Sequence, residues 1–140
     1  MTMLDETAAA AVVSIAKAMD EAGLAPNKSG NVSCRDGDGF LVTPSGVPYR
    51  DLVPADIARL DATGNVRAAS RRPSSEWRMH AAIYRRRTDV QAIVHTHSPN
   101  ATALACAHRG IPAFHYMIAL AGGDVRCAPY ATFGSHELAV

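Results

Sequence analysis

The sequence has almost no excess charge: 14 Lys and Arg against 13 Asp and Glu leave a formal net charge of +1 over 140 residues. That balance removes the electrostatic footprint a polyanion or an anionic lipid surface would need, so no nucleic acid and no membrane is expected as a partner. No stretch reaches the ~20 apolar residues of a membrane-spanning helix, and the N-terminus lacks the basic region and sustained apolar core of a secretory signal. Cysteine is scarce as well. Cys34, Cys106 and Cys127 are widely spaced with no Cys-x-x-Cys, which excludes a disulfide framework and reads as three small, buried, reduced side chains in a cytoplasmic protein. There is no internal repeat, low-complexity tract or linker. What remains is 48% apolar and 19% charged residues, an ordinary globular composition in a chain long enough for one core, so a single domain over 1–140 is expected.

The chemistry is concentrated between Pro73 and His97. Val90-Gln91-Ala92-Ile93-Val94 reads as a buried strand running into His95-Thr96-His97. Side chains alternate along a strand, so His95 and His97 point the same way with Thr96 turned aside. Two convergent imidazoles are half of a metal site, although a His-x-His pair is equally read as two polar residues at a strand exit. Upstream, Ser74 and Ser75 precede Glu76–Tyr84, an N-capped helix start with Glu76 in its first turn. Glu76 alone reads as a helix-dipole carboxylate; beside two histidines it suggests a metal and an anion held together. Arg85-Arg86-Arg87 is the solvated C-terminal end of that helix.

Elsewhere, Ala8, Val12, Ile15 and Met19 recur at helical spacing and predict an amphipathic helix over 5–22, opened by Asp5 and Glu6 and stopped by Gly23. Asn27–Arg35 is a loop feeding a strand. Gly30 permits close backbone approach and Asn31 could help form an anion-binding concavity, with a plain turn as the simpler alternative. Asp36-Gly37-Asp38-Gly39 predicts a hairpin pairing Val32–Arg35 with Phe40–Thr43. Its exit, Thr43-Pro44-Ser45-Gly46, again joins a hydroxyl to a glycine. A helical turn is expected over 51–57, a strand at Ala58–Asp61 with a hairpin turn at Ala62–Asn65, and a helix over Ala101–His108. Short strands are expected at Ile111–Phe114 and within Val125–Ser135, and a helix begins at His136. Hairpins interspersed with helices argue for a layered α/β sheet.

Taken in order, Gly30-Asn31-Val32-Ser33, Thr43-Pro44-Ser45-Gly46, Pro73-Ser74-Ser75-Glu76, His95-Thr96-His97, His115-Tyr116-Met117-Ile118, Gly122-Gly123 and Ala128–Gly134 resemble the class II aldolase/adducin family, nearest its L-fuculose-1-phosphate aldolase branch. The resemblance implies a three-layer α/β/α fold around a largely antiparallel sheet, a homotetramer when full length, and zinc-dependent cleavage of a ketose 1-phosphate to dihydroxyacetone phosphate and an aldehyde. It implies Glu76, His95 and His97 as zinc ligands, with Glu76 also moving a proton. Asn31, Ser45, Gly46, Ser74 and Ser75 would bind the phosphate of the sugar phosphate substrate, and Tyr116 would be a proton donor reaching a neighbouring subunit.

The family's third histidine lies downstream of the stretch beginning at His136, and His80, His108, His115 and His136 do not match it. The chain is therefore expected to lack its C-terminal portion, as a fragment or a short inactive relative, and to expose apolar surface. Epimerase or dehydratase chemistry on a sugar phosphate, and an adducin-like binding role, are the alternatives the family offers. The Pro129–Gly134 run and the His115-Tyr116 pair lean toward the aldolase.

Overall fold

The computed structural model describes residues 3–139, with side chains from residue 6 onward. Helix α1 spans Met3–Glu21; the capping role expected of the Asp5 side chain lies outside the described residues. Ala9, Val12, Val13, Ala16 and Met19 form its buried stripe, one face of a 3.6-residue period. Ile15, expected in that stripe, is 47% exposed. It stands roughly 90° round the helix from the middle of the stripe, which is centred on alanines that let the helix sit close to the sheet. Gly23 ends the helix at φ +70, where the Leu24 N–H donates to the Met19 carbonyl at 3.0 Å. Such a cap needs a left-handed residue.

The sheet has five strands in the order β4-β3-β2-β1-β5. Strand β1 (Asn31–Asp36) and β2 (Gly39–Val42) form the expected hairpin, with Ser33 opposite Val42 and Asp36 opposite Gly39. Strands β3 (Ala58–Leu60) and β4 (Val66–Ala68) follow. Their turn is organised by Asp61, whose carboxylate accepts from the Thr63 and Asn65 backbone N–H groups. Helix α2 (Trp77–Arg86) leads to β5 (Ala92–His95), which pairs antiparallel with β1 and sets His95 opposite Asn31. Helix α3 covers Pro99–Cys106. Every pairing between these strands is antiparallel.

Strand alternation divides the core between two helices. Val32 and Leu41 pack on the α1 side with Tyr49, Leu52 and Ile57. Phe40, Val42, Ala58 and Leu60 pack on the α2 side with Ala81 and Tyr84. The Phe40 and Tyr84 rings lie 5.5 Å apart in a tilted arrangement. Burying each such side chain contributes about 1.5–3 kcal/mol, and the result is the α/β/α layering expected.

Four local expectations differ. β5 is an edge strand with Val94 48% exposed, because burial of a short apolar run depends on what lies beyond it, which periodicity does not encode. The turn over 51–57 splits into two 3-10 turns, Tyr49–Asp51 and Pro54–Asp56, since Pro54 forces Val53 into extended backbone. The strands expected at Ile111–Phe114 and Val125–Ser135 are reduced to one isolated bridge, Ile111 with Val125; Pro112 and Pro129 have no N–H to offer a ladder. Cys106 is exposed, while Cys34 and Cys127 are half-buried, and all three are free. Phe114, Tyr116, Leu120, Tyr130 and Phe133 also stand largely exposed, in line with the exposed apolar surface expected of the chain.

Candidate functional site

The loops carrying the polar motifs are sewn together by backbone hydrogen bonds. Pro44 bridges Pro73, the Ser45 N–H donates to the Arg72 carbonyl at 2.8 Å, and the Ser74 N–H donates to the Thr43 carbonyl at 3.0 Å. This lays Thr43–Gly46 beside Pro73–Glu76. The β1–β5 pairing then brings the start of β1 against the end of β5. Gly30 is required there: it holds φ +83, and a Cβ would fall 2.5 Å from the His95 carbonyl oxygen. The junction surrounds a cavity of about 1070 Å³. Asn31, Ser45, Gly46, Ser74, Ser75, Glu76, His95 and His97 all line it, so the structure gathers every expected site residue except Tyr116. Ala128, Tyr130 and Phe133 also line it.

The helix start is built by Ser74. Its hydroxyl oxygen accepts from the Glu76 N–H at 3.2 Å, and its carbonyl accepts from the Trp77 N–H at 3.2 Å. This local cap places Glu76 at the N-cap position of α2. Glu76 is buried, and neither carboxylate oxygen has a hydrogen-bond partner among the described residues; the same holds for His95 Nδ1. A buried carboxylate left alone costs several kcal/mol, on the order of the penalty for an uncompensated ion, so the site calls for a cationic partner. His95 and His97 stand with ring centroids 4.9 Å apart. Burial, then the neighbouring His97, holds the His95 imidazole below its ordinary pKa, which favours the neutral ring that ligates metals. Among the described residues no three His, Cys, Asp or Glu side chains are drawn together as a finished metal cluster. The donor set nevertheless fits a divalent metal: two imidazoles and one carboxylate lining one cavity, with orphaned atoms on Glu76 and His95.

Two residues of the site were not singled out by sequence. His80, read as a packed or exposed helix residue, is fully buried. It lies against Ser33 Oγ at 2.6 Å through Nδ1 and against Asn31 Oδ1 through Nε2, and Ser33 Oγ in turn lies 2.8 Å from the Tyr84 hydroxyl. The available signal was its spacing: His80 and Tyr84 share one helix face, while Asn31 and Ser33 share one strand face. Lys28 is the one Lys or Arg among the described residues lining the cavity. Its ammonium donates to the Gly46 carbonyl at 3.4 Å, from a left-handed backbone pair, Asn27 at φ 56 and Lys28 at φ 63. Tyr116 is 80% exposed, stacks on His115 at 4.4 Å, and stands apart from this cavity.

Residues 10–140 match the family model described as Class II Aldolase and Adducin N-terminal domain. The chain is 52% identical over 128 residues to the 5-methylthioribulose-1-phosphate/5-deoxyribulose-1-phosphate aldolase of Rhodospirillum rubrum, covering 91% of this chain and 58% of that protein. It is 49% identical over 121 residues to the L-fuculose phosphate aldolase of Escherichia coli strain K12, covering 86% of this chain and 56% of that protein. Among solved structures, an L-fuculose 1-phosphate aldolase superposes with a TM-score of 0.91 at 42% identity, over 95% of this chain and 64% of that one. The L-fuculose-1-phosphate aldolase of Thermus thermophilus superposes with a TM-score of 0.75 at 28% identity, over 94% of this chain and 68% of that one. The chain thus spans a little over half the length of the curated relatives it matches.

Proposed function

The chain belongs to the class II aldolase and adducin family, and from that premise we propose that its cavity serves a zinc-dependent aldolase acting on a ketose 1-phosphate. The relatives named for L-fuculose phosphate and for 5-deoxyribulose 1-phosphate differ in the aldehyde released and share the phosphorylated three-carbon half. The cradle of Asn31, Ser45, Gly46, Ser74 and Ser75 suits that shared half: small donors on loops close enough to touch a phosphate. Lys28 adds the only fixed positive charge among the described lining residues.

His95, His97 and Glu76 would hold the metal. Such an ion, when bound, supplies Lewis-acid polarisation of the substrate carbonyl. The chain's own residues then handle protons. Cleavage takes a proton from the hydroxyl on the carbon that becomes the aldehyde. The carbon–carbon bond breaks with its electron pair left beside the carbonyl, and a proton returned to that carbon gives dihydroxyacetone phosphate. Glu76, buried and without a hydrogen-bond partner among the described residues, is the group to move the proton at that carbon. Tyr116, exposed and away from its own cavity, is assigned to the site of a neighbouring subunit in a homotetramer, where it exchanges the proton on the aldehyde oxygen.

The buried Glu76 carboxylate oxygens and His95 Nδ1, lining one cavity without a hydrogen-bond partner among the described residues, carry this reading. The test is elemental analysis of the purified chain together with a dihydroxyacetone phosphate release assay on L-fuculose 1-phosphate and 5-deoxyribulose 1-phosphate. Zinc near one equivalent, lost on Glu76→Gln with the loss of any product release, is the expected result. Undiminished zinc and turnover in Glu76→Gln would sink the assignment.

A further inference from the structure

A buried relay runs from Tyr84, one turn beyond His80 on the sheet-facing side of α2, to Asn31 in the cavity lining, and the metal and phosphate roles assigned above do not account for it. The Tyr84 hydroxyl lies 2.8 Å from Ser33 Oγ, Ser33 Oγ lies 2.6 Å from His80 Nδ1, and His80 Nε2 bonds Asn31 Oδ1. Ser33 and His80 are wholly excluded from solvent. Resting on the reading of this cavity as a phosphate site, we propose that Tyr84 and His80 are positioning residues that fix which end of the Asn31 carboxamide faces the cavity, presenting its NH2 group to the substrate phosphate.

Heavy-atom distances allow a relay to run in either sense, because hydroxyl protons, histidine tautomers and amide ends follow from the whole network. Its closed end decides. Ser33 is the hydrogen-bond partner of the buried Tyr84 phenol among the described residues, and burial pushes that phenol up to about 12, so its proton stays on. To avoid a buried, unpaired donor, the phenol donates to Ser33 Oγ. The serine's own proton then points at His80 Nδ1, which must accept. His80 is wholly buried with Ser33 and Asn31 as its ring partners, and neither carries a charge that would hold an imidazolium there. A neutral ring carries one proton, and with Nδ1 accepting that proton sits on Nε2. Nε2–H donates to Asn31 Oδ1, and the amide's NH2 group is left on the side where Asn31 lines the cavity.

The opposite sense puts the ring proton on Nδ1, turns the serine proton toward Tyr84 and strands the phenol proton in the core. It also swaps the amide, setting an oxygen against the oxygens of a phosphate. Among the described residues the Asn31 carboxamide is held by His80, so the direction of the relay is the difference between a donor and an acceptor at one point of the cradle. The phenol, one helical turn beyond His80 and outside the cavity lining, selects between them.

The test measures the His80 tautomer and inorganic phosphate binding in the full chain. A long-range proton–nitrogen correlation spectrum of isotope-labelled histidine, with His80 assigned by its disappearance in His80→Gln, should show the proton on Nε2. Tyr84→Phe keeps the ring against Phe40 and removes only the closed end of the relay. It should give a mixed His80 tautomer and weaken phosphate binding by about threefold to tenfold, the effect of an amide correctly oriented about a third to a tenth of the time. A protonated Nδ1 in the unmodified chain, or an unchanged tautomer in Tyr84→Phe at any affinity, overturns the proposal. Failure of the unmodified chain to bind phosphate overturns the phosphate reading of the cavity, and the tautomer still decides the relay on its own.

Discussion

Replacing Ser33 by alanine isolates the energetic weight of the buried network, because Ser33 is its hub. The hydroxyl bonds both His80 Nδ1 at 2.6 Å and the Tyr84 phenol at 2.8 Å, with Ser33 wholly excluded from solvent. Ser33→Ala deletes both bonds and leaves two buried polar atoms alone, each costing about 1–3 kcal/mol. Removal of a buried hydroxyl that itself had to be desolvated offsets roughly 1 kcal/mol of that sum. The expected loss is therefore about 1–5 kcal/mol, a large part of the ~5–15 kcal/mol stability of a domain. Urea unfolding reads it as a midpoint lowered by about 0.5–2.5 M at unchanged slope, taking a slope of about 2 kcal/mol/M. Two comparisons sharpen the result. Ser70→Ala, which removes one exposed bond to the Ala55 carbonyl, should cost less than about 0.5 kcal/mol. In a Tyr84→Phe background the phenol is no longer stranded, so Ser33→Ala should cost about 1 kcal/mol less than in the unmodified chain. A Ser33→Ala loss equal to that of Ser70→Ala, or strict additivity with Tyr84→Phe, would refute the account of the network.

Three further outcomes are expected. Lys28→Met should weaken inorganic phosphate binding by about threefold to tenfold and flatten its salt dependence, read by calorimetry at two ionic strengths, because a solvated ammonium acts at long range and is screened. Gly30→Ala should destabilise the chain by more than about 1 kcal/mol and abolish phosphate binding, since it adds a left-handed penalty to a clash with the His95 carbonyl; a stable variant that still binds would show that the close approach is not needed. Arg71 donates to the Asp56 carboxylate at 2.8 Å and holds its pKa below the ordinary carboxylate value. A depressed folded-state pKa gives stability that is present above the unfolded value, ~3.8, and is lost as pH falls through the folded one. Arg71→Ala should thus destabilise the chain at neutral pH and do little in strong acid, with acid unfolding followed by circular dichroism; an equal loss at both ends would exclude the ion pair as the cause.

Much of this molecule is legible locally. The Gly37-Asp38 hairpin turn, the Gly23 stop of α1 and the Ser74 cap that seats Glu76 all follow from residues within a few positions of one another. Their chemistry acts over one turn of chain, so the sequence alone determines them. The polar motifs likewise announce a site, since glycine, serine, carboxylate and imidazole are grouped on loops at strand and helix ends. What only the tertiary structure decided depends on residues far apart in the chain. The pairing of Asn31 with His95, 64 positions apart by their numbers, is a register between two strands. The exposure of β5 follows from its place at the sheet edge, and the burial of His80 from the β1 face that α2 covers. Tyr116 carries a recognisable motif and still lies outside the cavity, because no local pattern specifies where a 3-10 segment docks. Periodicity encodes which face of an element is apolar; which element lies against that face is settled by packing.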